Sequence, residues 1–279
     1  MNIIENSEMF AQILNNYKRE KKHCGTNMLM MQDEINDLID AGNLYYSFIE
    51  DILWLFVKYD DFYLAYFFVA KGEKLKLVPQ DCDVIVELIG NTVKYNSQWE
   101  AALLEAGFEK YNKNIEFVAK KEECQSVIEK QKEKISSFVD SIGYYRRRAQ
   151  KIDYDEMYQL WRSKIDKYAV HTMTEKEKDE MEKCGSGYLI CNEKNDICAV
   201  GYCPKTFKTA VMRYIVSTYK GLGSVVAYEQ VASMYQEGCD RVIIWIWENN
   251  IDSLKLWRWI AVETGKFSQQ FLMKKALDF

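Results

Sequence analysis

Histidine is nearly absent from this chain, with two in 279 residues, and the eight cysteines never fall into a C-x-x-C pair. The densest run, Cys184, Cys191, Cys198 and Cys203, has spacings that suit neither a zinc knuckle nor a zinc ribbon, so no metal centre is expected. Cysteines scattered in this way read as reduced, partly buried thiols. No stretch approaches about eighteen uninterrupted apolar residues, and Met1 to Asn6 show no basic segment followed by an apolar core. The expectation is a cytoplasmic protein with no membrane partner. Basic excess is missing too: 37 Lys and Arg stand against 42 Asp and Glu, a net charge of −5 that argues against a nucleic-acid partner bound through its phosphates.

What is present is apolar residue, 48% of the chain, at a length that suits two modest cores rather than one. Met9, Phe10, Ile13, Leu14 and Tyr17, then Ile35, Leu38 and Ile39, recur at helical spacing and predict two opening helices, the second stopped by Gly42. Four apolar runs follow, Tyr45 to Ile49, Leu53 to Tyr59, Tyr63 to Ala70 and Val84 to Ile89, with Gly72 and Pro79 in the last break; they read as strands. A helix over Trp99 to Ala106 and a strand over Asn114 to Ala119 complete this part. Lys120 to Ser141 mixes both charge signs with Val127, Ile128, Ile135 and Phe138, the pattern of an exposed linking helix.

After the linking helix the order repeats. Helices are expected around Met157 to Ile165 and over Glu175 to Lys183, then strands over Gly187 to Cys191, Ile197 to Cys203 and Ala210 to Ser217. Glu34 to Tyr45 and Glu177 to Tyr188 align at a constant offset, which marks a tandem repeat. Arg146, Arg147 and Arg148 read as an opening strand with solvated side chains, and Asp153 as a helix cap.

The copies diverge after their third strand. In the second, Thr218 to Ser224 forms a glycine turn, and Leu222, Val225, Tyr228, Val231, Ala232 and Tyr235 form a helix that runs to Gly238. A glycine turn opening a helix leaves unpaired N–H groups facing one spot, where the helix dipole favours an anion. Arg241 to Trp247 is a further strand, followed by Asn250-x-x-Ser253-x-x-Leu256-Trp257 on a short helix, with Asn250 either its cap or a ligand residue. In the first copy Lys71 to Pro79 is too short for such a turn and helix.

The order strand, glycine turn, helix, strand, Asn-x-x-Ser-x-x-Leu-aromatic resembles the acetyl-CoA-binding half of the GNAT superfamily of N-acyltransferases. The resemblance implies an α/β (α+β) fold of two GNAT-like domains, each a mixed, mostly antiparallel sheet flanked by helices. The division expected is a degenerate domain over 1–121, a linking helix over 122–142, and a cofactor domain over 143–279. It also implies acyl transfer from acetyl-CoA to a small-molecule or peptide amine. Gly221, Leu222, Gly223 and Ser224 would cradle the pyrophosphate. Ile215 and Val216 would line the cofactor arm, with an oxyanion donor among Tyr214 to Val216, and Asn250, Ser253 and Trp257 would complete the cofactor motif. Trp257 stands where the family commonly has its general-acid tyrosine, so Glu248 and Tyr214 are the candidate catalytic groups, with Tyr219 and His171 also near. A non-catalytic CoA-binding or interaction module and a Fem-type aminoacyltransferase are the alternatives, and a homodimer is possible.

Overall fold

The computed structural model describes residues 1–21, 23–77, 80–91 and 97–275. Val78 and Pro79, in the break noted above, lie outside the described residues. The chain divides into two compact units, residues 1–113 with 266–279, and residues 114–265.

The first unit opens with β1 (Asn2–Ile3) and α1 (Ser7–Glu20), capped by the Asn6 side chain, which accepts the Met9 N–H at 2.8 Å. β2 (Cys24–Thr26), α2 (Gln32–Asp40), β3 (Leu44–Ile49), β4 (Ile52–Lys58), β5 (Phe62–Ala70), β6 (Asp83–Asn91) and α3 (Ser97–Glu105) follow. The sheet order is β1-β3-β4-β5-β6, then residues 266–273 paired antiparallel to β6. All neighbours are antiparallel except β5 and β6, which run parallel over Phe62–Ala65 and Asp83–Val86. Both sheet faces are apolar. Trp54, Phe56 and Phe67 pack with α3 on one side, while Leu53, Leu55 and Val57 pack against Phe10, Tyr17, Ile35 and Ile39 of α1 and α2 on the other. Covered on both faces, β4 reads as a continuous apolar run rather than an alternating one.

β7 (Glu109–Lys120) leads into the second unit, which continues with α4 (Lys121–Ser141), β8 (Tyr145–Arg148), α5 (Tyr154–Lys164), α6 (Glu175–Lys183), β9 (Gly187–Cys191), β10 (Ile197–Tyr202), β11 (Lys205–Thr206), β12 (Thr209–Met212) and β13 (Tyr214–Ser217). α7 (Leu222–Gln236), β14 (Arg241–Trp247), α8 (Ile251–Trp257) and β15 (Val262–Met273) end the chain. One layer has the order β13-β10-β9-β8; in the other, β11 pairs β12, β12 runs parallel to β14, and β14 pairs Asn114–Lys120. α7 buries Val226, Ala227, Val231 and Met234 on one sheet face, and α5 and α6 bury Tyr154, Met157, Trp161 and Met181 on the other. No helix among the described residues is long and apolar enough to cross a membrane.

The repeat is visible in the elements: α2, β3, β4 and β5 are matched in order by α6, β9, β10 and the β12–β13 strand. The boundaries differ from those expected. Residues 114–120 belong to the second unit and 266–279 to the first, because the strand after each copy's closing helix pairs with the other copy's parallel strand. α4 is not an exposed linker either. Cys124, Ile128 and Val139 are buried, Phe138 lies against Gly221, and the Cys124 thiol sits 2.8 Å from the Tyr235 hydroxyl of α7. The three arginines of β8 are spoken for: Arg146 pairs with Glu229, Arg147 with Asp153 through two bonds of 2.6 and 2.7 Å, and Arg148 with Glu237. Asp153 precedes α5 as expected, but its carboxylate serves Arg147 and the Gln150 N–H.

Candidate functional site

The strand read as one run over Ala210 to Ser217 is two. Lys205 stands opposite Ala210, yet Tyr202 stands opposite Tyr214, so one extra residue enters at Arg213, whose N–H donates to the Tyr202 carbonyl at 2.9 Å. This is a β-bulge, and a bulge bends its strand. Up to Met212 the strand pairs in parallel with β14, ending at Met212 opposite Ile244; from Tyr214 it pairs only with β10. Trp245, Ile246 and Trp247 therefore face β13 with no ladder between, and a wedge-shaped gap opens from the bulge.

The register gives that gap its chemistry. Thr218 donates its N–H to the Cys198 carbonyl at 2.8 Å, so in an antiparallel ladder Val216 is turned to β10, while Ile215 and Ser217 direct N–H and C=O into the gap. At the far end of β13 the glycine turn begins. Gly221 has φ +95°, a left-handed conformation that an L side chain resists, and it is the N-cap of α7. A Cβ on Gly223 would stand 3.4 Å from the Ser217 Oγ and 3.9 Å from Ile215, ordinary contacts that leave room for a methyl but little more. The Leu222 N–H donates to the Tyr219 carbonyl at 3.3 Å and that of Ser224 to Gly221 at 3.1 Å. These two groups, expected in the cradle, hold the turn itself. Thr218 Oγ1 donates to the Cys198 carbonyl at 3.1 Å and anchors the turn to β10.

Tyr214 and Val216 point away from α7, toward α5 and α6. The Tyr214 ring lies 4.8 Å from that of Trp161, and its hydroxyl lies 3.2 Å from Nδ1 of His171, in the segment between α5 and α6. Glu177 stands 3.8 Å from Nε2 of the same ring. Which of the Tyr214 hydroxyl and Nδ1 donates to the other depends on the tautomer of the ring. Burial pushes the Tyr214 hydroxyl up to about 12. Burial also pushes Glu177 up, but His171 and the Thr174 N–H outweigh it and hold the carboxyl below its ordinary value.

No family model matches the chain, and no curated protein matches it in sequence. Solved structures do match in shape. A GCN5-related N-acetyltransferase from Sphaerobacter thermophilus superposes with a TM-score of 0.52 at 9% identity, over 82% of this chain and 78% of that one. A tandem GNAT protein from the clavulanic acid biosynthesis pathway gives 0.51 at 7% identity, over 82% and 79%. A GNAT-family acetyltransferase from Colwellia psychrerythraea gives 0.51 at 11%, over 98% and 99%. The chain has the GCN5-related N-acetyltransferase fold.

Within this GNAT fold the expected site residues separate. Ile215, Gly221 and Gly223 come together at the gap and the turn. Val216 lines the sheet but spends its backbone on β10. Asn250 caps α8, its side chain accepting the Ser253 N–H at 3.1 Å. α8 ends at Trp257, and Trp257 is buried with Leu254, Ile246 and Phe117. The indole thus fills core. Trp247 and Trp259 are 43% and 74% exposed. Glu248 is half-buried in the turn between β14 and α8.

The first copy of the GNAT fold shows the same divergence, already closed. Past Ala65, β5 leaves β6, and its end, Phe68–Ala70, pairs with β2 instead. At the vertex Asn27 donates from Nδ2 to the carbonyls of Ala65 (3.2 Å) and Glu87 (3.1 Å), while its Oδ1 accepts the Phe67 N–H at 2.8 Å. The chain's own carboxamide bridges the two strands there. Sequence reasoning missed β2, because Cys24-Gly25-Thr26 carries no strand periodicity.

Proposed function

We propose that this protein is an N-acyltransferase that takes an acetyl or related acyl group from acetyl-CoA to an amine, with the second unit holding the cofactor. The observation that carries this reading is the gap between β13 and β14 joined to a glycine turn at the start of α7. The fit is backbone-deep: Ile215 and Ser217 offer the gap N–H and C=O groups that a β-strand-like amide chain can meet, and Gly223 is the residue at which a larger side chain would crowd β13. A CoA thioester bound there would supply the activated acyl group.

This chain's residues do the rest. The backbone of Ile215 and Ser217 orients the amide arm, and an N–H on the same strand can stabilise an oxyanion. Tyr214 keeps its proton at neutral pH and so acts as an acid; His171, half-buried and facing its hydroxyl, exchanges that proton with solvent. Glu248, at the end of β14, accepts the proton of the incoming amine directly or through water.

The test is a melting curve. At a hundredfold excess over its dissociation constant, CoA should stabilise the fold by about 2.7 kcal/mol, and Gly223→Asp should abolish the shift. A curve unmoved by millimolar CoA overturns the reading.

A further inference from the structure

Arg213 is exposed, and among the described residues its guanidinium makes neither an ion pair nor a hydrogen bond. Arg146, Arg147 and Arg148 are committed to carboxylates and Arg241 to Thr209. The position is specific. Arg213 is the extra residue of the bulge, at the apex of the gap, and in a bulge the two residues opposite one partner share a face. That face is the one Tyr214 shows to α5 and α6. Burial raises the pKa values of the Tyr202 and Tyr214 hydroxyls; among the charges around them Arg213 lowers both and Glu177 raises both.

Tyr202 adds an independent observation. Its side chain is 8% exposed, its ring stacks on Tyr214 with centroids 6.2 Å apart, and its hydroxyl has no hydrogen-bond partner among the described residues. The ring is buried while the hydroxyl atom keeps an opening to solvent, through which a ligand can reach it. The nearby carboxylate, Glu177, is held by the N–H and hydroxyl of Thr174 and faces His171. The side of the gap away from α7 thus holds an unspent fork of guanidinium donors and an unspent phenol.

Building on the acyltransferase reading, we infer that the acceptor is an amine that also carries an oxyanion group, a carboxylate or a phosphate monoester, bound by Arg213 and Tyr202 while the amine lies in the gap. A planar guanidinium takes either group through two parallel bonds, and a phenol O–H donates to a third position. An acceptor of this class is distinguished from a polyamine, whose every terminus the guanidinium repels.

The experiment measures binding of acetylated products to the CoA-saturated protein by calorimetry: N-acetyl-β-alanine, its neutral amide, and N-acetyl-aminoethyl phosphate. The wild type should bind one or both anionic compounds at least tenfold more tightly than the amide, and which of them it prefers identifies the group. Arg213→Gln, an exposed substitution that should leave the melting temperature in place, should erase the preference; Tyr202→Phe should reduce it. Equal binding of all three, no binding at 10 mM, or a preference that survives Arg213→Gln overturns the inference. The CoA titration that precedes each run keeps the two readings apart: failure there removes the acyltransferase, while the anion preference is still read from the products alone.

Discussion

Trp257 illustrates how a motif position and a structural position can part. The sequence places it where the fold family often has an acid tyrosine, yet the side chain is 3% exposed within the core around Phe117 and Leu254. Trp257→Tyr should therefore not raise turnover; it should lower stability by about 1–3 kcal/mol through the volume lost and the hydroxyl buried, measured by urea denaturation. Tyr214→Phe, by contrast, should lower acyl transfer up to a hundredfold while CoA binding, read by melting, is unchanged. Asp153 makes a pH prediction. Arg147 holds its carboxyl below the ordinary value, so in the folded state it ionises more readily than in the unfolded chain, where the value is about 3.9. The pair's contribution is complete above that value and is lost as pH falls through the folded one. Asp153→Asn should cost about 1–3 kcal/mol at pH 7, and the gap between variant and wild type in melting temperature should narrow steadily below about pH 4.

Among elements, the close approach of α7 to β10 is set at Gly201. A Cβ there would lie 2.1 Å from Gln230 Oε1 and 2.4 Å from Val226 Cγ1, and Gln230 is fully buried with its Nε2 donating to the Ser186 carbonyl at 2.6 Å. The glutamine cannot swing clear without losing that bond. Gly201→Ala should destabilise by about 1–3 kcal/mol and, by displacing the start of α7 from β13, weaken CoA binding. In the first unit β2 and Asn27 play the part of a bound strand. Asn27→Ala removes three hydrogen bonds and strands the Phe67 N–H, so it should cost about 2–4 kcal/mol without creating a CoA site, since no glycine turn follows β5. A second equivalent of CoA bound by Asn27→Ala in calorimetry would refute that.

For the whole molecule the exchange of strands decides what can be cut. A fragment of residues 122–279 keeps 266–273, whose partner β6 it lacks, and loses 114–120, the partner of β14. It should be insoluble or unfolded by circular dichroism. Residues 114–265 retain every strand pair of the second unit, and that fragment should show the cooperative melting that 122–279 lacks.

Much of this was legible along the chain because periodicity is local. α6, β9 and β14 fall on the residues their patterns predict, and the repeat is carried by α2 and β3 against α6 and β9. The glycine turn and its helix were equally plain, since a left-handed Gly221 and an apolar stripe need only neighbours in sequence. What the sequence could not decide depends on partners far along the chain. The bulge at Arg213 exists only against Tyr202, and Asn27 has meaning only between β5 and β6. Trp257 is core or site according to what packs on it, and residues 266–273 join β6 although nothing near them in sequence says so. Local pattern determines which face of an element is apolar; only tertiary pairing determines which backbone groups are left over, and the gap between β13 and β14 is made of those.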